Sequence, residues 1–168
     1  MKKLVSLSFL IAFLFIGNYA SSQNKKASPA ATATGKSGNV TITINYSSPA
    51  VKGRKVWGDL VPFGKVWRTG ADEATIFETD GDLKIEGQKL SKGKYSLFTI
   101  PEENSWTIII NKKANQWGAY SYKQEDDVLR VKVKPGKSAA FNESLAFAIA
   151  DGKVFIRWEN MEVAFKAQ

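Results

Sequence analysis

"KYSLFTIPEENSWTIIIN", Lys94 to Asn111, decides the fold class. A run rich in aromatic and branched side chains ends at Pro101, which stops a strand because it has no N–H for a ladder. After a polar turn, "SWTIIIN" sets Trp106, Ile108 and Ile110 on one face with a period of two. The same period extends outward. On the C-terminal side, "DDVLRVKVKP" turns Leu129, Val131 and Val133 inward and Arg130, Lys132 and Lys134 outward. "SLAFAIAD", "KVFIRWEN" and "MEVAFK" follow, with a hairpin through "EN" (Glu159, Asn160) predicted between the last two. On the N-terminal side, "DLKIEG" puts Leu83 and Ile85 on one face, and "GQ" reads as the tight turn into "KL". "ATIFET" precedes it, and "NVTITINY" alternates Val40, Ile42, Ile44 and Tyr46 against Thr41, Thr43 and Asn45. No long stretch has helical period. About nine short strands with turn signals between them predict an all-β fold, an antiparallel β-sandwich of jelly-roll or immunoglobulin-like kind.

The ends of the chain read differently. "MKK" is a basic start, and "LVSLSFLIAFLFI" is a thirteen-residue apolar run, too short for a confident membrane span. Ala20 and Ser22 then occupy the −3 and −1 positions of a cut before Gln23. Residues 1–22 therefore read as a secretory signal peptide, with no stable membrane insertion after cleavage. The expected location is periplasmic or extracellular. No Cys follows the run, so lipid anchoring is excluded. "QNKKASPAATATGKSGN", residues 23–39, lacks large apolar side chains and reads as a linker or loosely attached arm. Residues 40–168 are left as the sandwich domain.

Lys2 and Lys3 fall in the leader, so 22 basic and 16 acidic side chains follow it, a net +6. The lysines are scattered as on a solvated surface, and no nucleic-acid-binding motif accompanies them. Cys and His are both absent. That rules out disulfides, Cys–His pairs, Ser-His-Asp triads and zinc held by His or Cys. Neither a cofactor nor a metal is implied. "EDD", Glu125 to Asp127, lacks the spaced oxygen ligands of a calcium loop and reads as an acidic lead-in to a strand.

One stretch stands apart from the strands. "VPFGKVWRTGADEAT", Val61 to Thr75, carries two glycines, Trp67, Arg68, Asp72 and Glu73. Its spacing predicts an irregular crossing with Trp67 plugging the end of the sandwich. Only four Arg occur in the chain, and Arg54 and Arg68 bracket this segment. The first reading is structural: the Arg68 fork pairs with Asp72, Glu73 or loop carbonyls and fixes the crossing. The second places Arg54 and Arg68 on the rim of a pocket, gripping an anionic or sugar-like ligand beside Trp67. Asp72 and Glu73, as neighbours in extended chain, point to opposite faces and do not make a catalytic pair. A partner carboxylate from Glu86, Asp126, Asp127 or Glu159 would be needed. "WGAYSY" is a second dense patch, with Trp117, Tyr120 and Tyr122. It reads as an aromatic plug under a loop, or as a surface for sugar faces or a protein partner.

The stretches "YSSPAVKGRKVWGDLVPFGKVWRTGADEAT", "IEGQKLSKGKYSLFTIP", "WGAYSYKQEDDVLRVKVKP" and "RWEN" together resemble the DUF2911 family, over roughly residues 28–165. That resemblance implies an exported, Bacteroidetes-type β-sandwich protein of unassigned function, and brings no activity or cofactor. Ser48 stands where the family often has Arg, and Asp72 where it usually has Asn, which argues against a required charge at 72.

The expectation is thus an exported, noncatalytic binding or structural module. Its ligand, of unassigned identity, would be a glycan or another cell-envelope component rather than nucleic acid. Arg54, Trp67, Arg68, Glu73, Trp117, Tyr120 and Tyr122 form the candidate surface. The alternative is a carboxylate-dependent hydrolase acting on carbohydrate.

Overall fold

A computed structural model describes residues 26–168. The proposed signal peptide lies outside them. The described chain is all-β and antiparallel, with ten strands and one 3-10 turn at Gln124–Asp126. In chain order these are β1 (Ala30–Ser37), β2 (Val40–Ser47), β3 (Thr75–Thr79), β4 (Leu83–Ile85), β5 (Gln88–Leu90), β6 (Gly93–Pro101), β7 (Trp106–Asn111), β8 (Asp127–Val133), β9 (Pro135–Ala150) and β10 (Lys153–Lys166).

Six strands pair in the order β1-β2-β3-β6-β7-β8. The long β9–β10 ribbon and the short β4–β5 hairpin make the second layer. Backbone bonds from Glu86 N to Lys166 O and from Gln168 N to Lys84 O stitch β4 to the end of β10. The alternating residues meet between the layers. Ile42, Ile44, Phe77, Leu97, Ile108, Ile110, Leu129 and Val131 face Leu145, Phe147, Val154, Ile156, Val163 and Phe165 in one buried cluster. Three successive isoleucines in β7 have a second reason. Ile109, with Phe98 and Ala74, packs on the outer face of the sheet beneath Val66, Ala119 and Tyr122. Loops cover that face, so β6 and β7 are buried on both sides, and a strand buried on both sides reads as a continuous apolar run.

Three details differ from the sequence expectations. The 23–39 segment is not a linker over its second half. Residues 30–37 form β1, paired with β2 over its full length, Ala30 opposite Ser47 through Ser37 opposite Val40. Its side chains are small because β9 runs close by. A Cβ on Gly35 would lie 2.6 Å from both Ile149 Cβ and Ile149 O. The absence of large apolar residues marks close approach, not lack of structure. Second, "EN" is not a turn. Glu159 sits inside β10 at left-handed φ (56°), where the register against β9 slips twice. This irregularity carries the inward phase from Trp158 to Met161 without reversing the chain. The hairpin turn is Asp151–Gly152, both with positive φ, the requirement of a two-residue turn matched to strand twist. Third, the β4–β5 turn is Glu86–Gly87 rather than Gly87–Gln88.

Candidate functional site

Between β2 and β3 the chain makes the irregular crossing expected of it, touching strands only through isolated bridges such as Trp67 with Thr99. Its turn at residues 68–75 closes on itself. Thr75 N donates to Arg68 O (3.1 Å) and Thr75 Oγ1 to Thr69 O (2.9 Å). Gly70 sits in a tight space, where a Cβ would lie 3.1 Å from Ser47 O. Two non-glycine residues of this turn, Thr69 (φ 53°) and Asp72 (φ 56°), hold left-handed conformations. Thr69 is fully buried, and a branched residue there is strained. Strain of this kind persists where the surroundings over-determine it, and it concentrates at functional sites.

Trp67 is buried and joins three other indoles. It stacks on Trp158 at 5.9 Å and meets Trp57 and Trp106 edge to face. Its Nε1 donates to Gly70 O (3.1 Å), whereas the Nε1 groups of Trp57, Trp106 and Trp158 have no hydrogen-bond acceptor. Trp57 is the hub, within 5.8 Å of all three. The sequence reading left it unassigned. Its signal was only its position in "KVWGDL", where no strand period tells which way it faces.

Beside Trp67 and Trp158 lies a cavity of about 280 Å³ that Arg54, Arg68 and Asp72 also line. Arg54 is partly committed: Nε donates to Val51 O (3.1 Å) and Nη2 to Ala50 O (2.6 Å). Arg68 is not. It is half-buried, its Nε is buried without a hydrogen-bond partner, and it joins none of the ion pairs among the described residues. The structural pairing expected for Arg68 is thereby corrected. Glu73 faces the other way and meets Lys26 Nζ at 2.9 Å. Lys26 first, then a backbone hydrogen bond, holds the Glu73 carboxyl below its ordinary range. Asp72 lines the cavity and Glu73 does not, as expected, but the chain here is not extended: Asp72 sits in the left-handed turn.

The seven residues singled out in the sequence do not form one surface. Arg54, Trp67 and Arg68 meet at the cavity. Glu73 and Trp117 share a separate groove of about 340 Å³ with Asn115 and Gln116. Tyr120 stands 86% exposed. Tyr122 is internal. Its ring packs on Phe98, its hydroxyl donates to Asp127 Oδ2 (2.6 Å), and Arg130 Nη1 donates to that hydroxyl (2.8 Å). Burial, and then the Asp127 carboxylate, push the Tyr122 phenol up to about 12.

The segments that build the cavity, the tryptophan cluster and the 68–75 turn all fall within residues 28–167, which match the family model described as "Protein of unknown function (DUF2911)". The chain belongs to the DUF2911 family. No curated protein and no solved structure matches this DUF2911 chain. Among its described residues no helix is long and apolar enough to cross a membrane, and no group of three His, Cys, Asp or Glu could hold a metal. A third groove, of about 310 Å³, has Trp57 in its wall. It is lined by Glu103, Lys137 and Glu159.

Proposed function

We propose that the protein is an exported, noncatalytic binding module, and that its ligand presents an anionic group to Arg68 in the cavity beside Trp67. The observation carrying this reading is the Arg68 guanidinium. A half-buried charge with a buried, unpartnered Nε is costly to leave unmet, and a planar fork suits a carboxylate. Among the described residues, Asp72 is the one carboxylate lining this cavity. Beside two Arg it favours a monoanion that also offers hydroxyl donors over a dianion. The basic start and apolar run of residues 1–22 support export.

Trp67 and Trp158 line the cavity, so tryptophan fluorescence reports its filling. Titration with small monocarboxylates (hexuronates, hydroxy acids and amino acids) is expected to give a saturable change that Arg68→Ala abolishes and Arg68→Lys retains in part. The same response in Arg68→Ala, or no response to any of the set, would sink this reading. The hydrolase reading rests on the other groove, where Glu103 and Glu159 stand near Trp57. Release of reducing ends from an acidic polysaccharide, lost in Glu159→Gln, would favour it instead.

A further inference from the structure

Trp117 is 59% exposed, and Tyr120, three residues on, is more exposed still. Indoles are among the largest apolar groups available, and most find cover. The mount of Trp117 is nevertheless rigid. Trp117 forms an antiparallel bridge with Glu73. On either side, Ala74 N donates to Gln116 O (2.9 Å) and Gly118 N to Asp72 O (3.0 Å). Gln116 is buried, and its Nε2 donates to Lys113 O (2.8 Å) and Asn111 Oδ1 (3.1 Å). An exposed ring on a fixed backbone is pre-organised for a flat partner.

The neighbours of the ring indicate which partner. The groove beside Trp117 offers the Asn115 amide and the Glu73 carboxylate with its Lys26 partner over a floor of Ala74 and Ile76. A pyranose ring has an apolar C–H face and a rim of hydroxyls, and this arrangement complements both. A peptide partner would ordinarily add a strand, but residues 73 and 117 already pair with each other. The groove is separate from the Arg68 cavity, but one turn holds both, since Asp72 lines the cavity and its neighbour Glu73 the groove.

We infer that Trp117 is a sugar-stacking subsite and that the ligand is an acidic oligosaccharide. One hexuronate places its carboxylate on Arg68, and another ring of the same oligosaccharide lies on Trp117. The net positive charge of the chain suits such a polyanion. This inference rests on the reading of the Arg68 cavity and adds a second contact and a ligand class to it.

The test is calorimetric titration of the full mature chain with galacturonate, glucuronate and mannuronate, each as monomer and as trisaccharide. At least one trisaccharide is expected to bind about tenfold more tightly than its monomer, the scale of one good aromatic contact. Trp117→Ala should remove most of that gain, and Trp117→Phe, which keeps a planar face, should restore much of it. Melting curves confirm that each variant is folded. Trisaccharides no tighter than monomers, an unchanged gain in Trp117→Ala, or equal binding by a triglutamate peptide would overturn the inference. If no hexuronate binds while another small carboxylate still depends on Arg68, the sugar assignment falls and the cavity reading stands. If Arg68→Ala changes nothing for any carboxylate, the cavity reading itself falls.

Discussion

Arg68 and Trp67 are adjacent in sequence and opposite in energetics. Trp67 is enclosed by three indoles and bonded to Gly70 O. Truncating it removes the wall of the cluster, so Trp67→Ala should cost about 3–5 kcal/mol in urea denaturation. Arg68 surrenders no ion pair on truncation. Arg68→Ala should change stability by about 0.5 kcal/mol or less, like a surface change, in the same measurement. A loss of about 2 kcal/mol would instead mean that the guanidinium holds the loop. The role of Trp67 as a plug was legible from its size alone. The isolation of Arg68 was not, because Glu73 is taken by Lys26, 47 residues away, and no local pattern encodes that choice. The commitment of the Tyr122 hydroxyl was hidden for a similar reason: its partners Asp127 and Arg130 lie in the following strand.

At the scale of elements, the period of two placed β2 and β8 and their inward residues correctly, because each turns one defined face to the core; it also placed β3, and the inward Trp106, Ile108 and Ile110 of β7, although loops bury the other face of β7 as well. It failed where something other than burial dictates the residue. β1 alternates Ala and Thr with Gly35 at its tightest point, and hydrophobicity is not what selects those residues. Gly35→Val should therefore cost about 1–3 kcal/mol by overpacking, since the obstructing Ile149 O belongs to backbone. A linker would tolerate the same change without loss, so a denaturation midpoint distinguishes the two. In β10 the change of phase between Trp158 and Met161 was visible in the sequence. A turn and a bulge produce that same shift, and only pairing with β9 decides between them. The positive-φ pair at Asp151–Gly152 predicts that Gly152→Ala destabilises by about 1 kcal/mol, measured the same way.

For the whole molecule, the missing histidine and cysteine set the pH response. With neither present, no side chain of ordinary pKa titrates between the carboxylates near pH 4 and the tyrosines and lysines near pH 10; the terminal amine, at about 8, is the exception. The carboxylates bound the plateau below. Lys113 and Lys112 hold Asp126 below its ordinary value, and hydrogen bonds from Thr41 do the same for Asp80. In the unfolded chain these groups take up protons at a higher pH than in the fold. Their contribution is therefore present above the ordinary value and is lost as pH falls through the lowered one. Tyr122 bounds it above with the opposite sign. The folded protein keeps the phenol protonated up to about 12, whereas the unfolded chain releases that proton near pH 10. Stability from this group is complete below about 10 and drains as pH rises toward 12. The urea midpoint should thus be flat from about pH 6 to 9 and fall on both sides. Asp126→Asn should flatten the acid limb and Tyr122→Phe the alkaline one. A slope at pH 6 to 8 that persists when the terminal amine is acetylated would require a carboxylate or lysine displaced by several units.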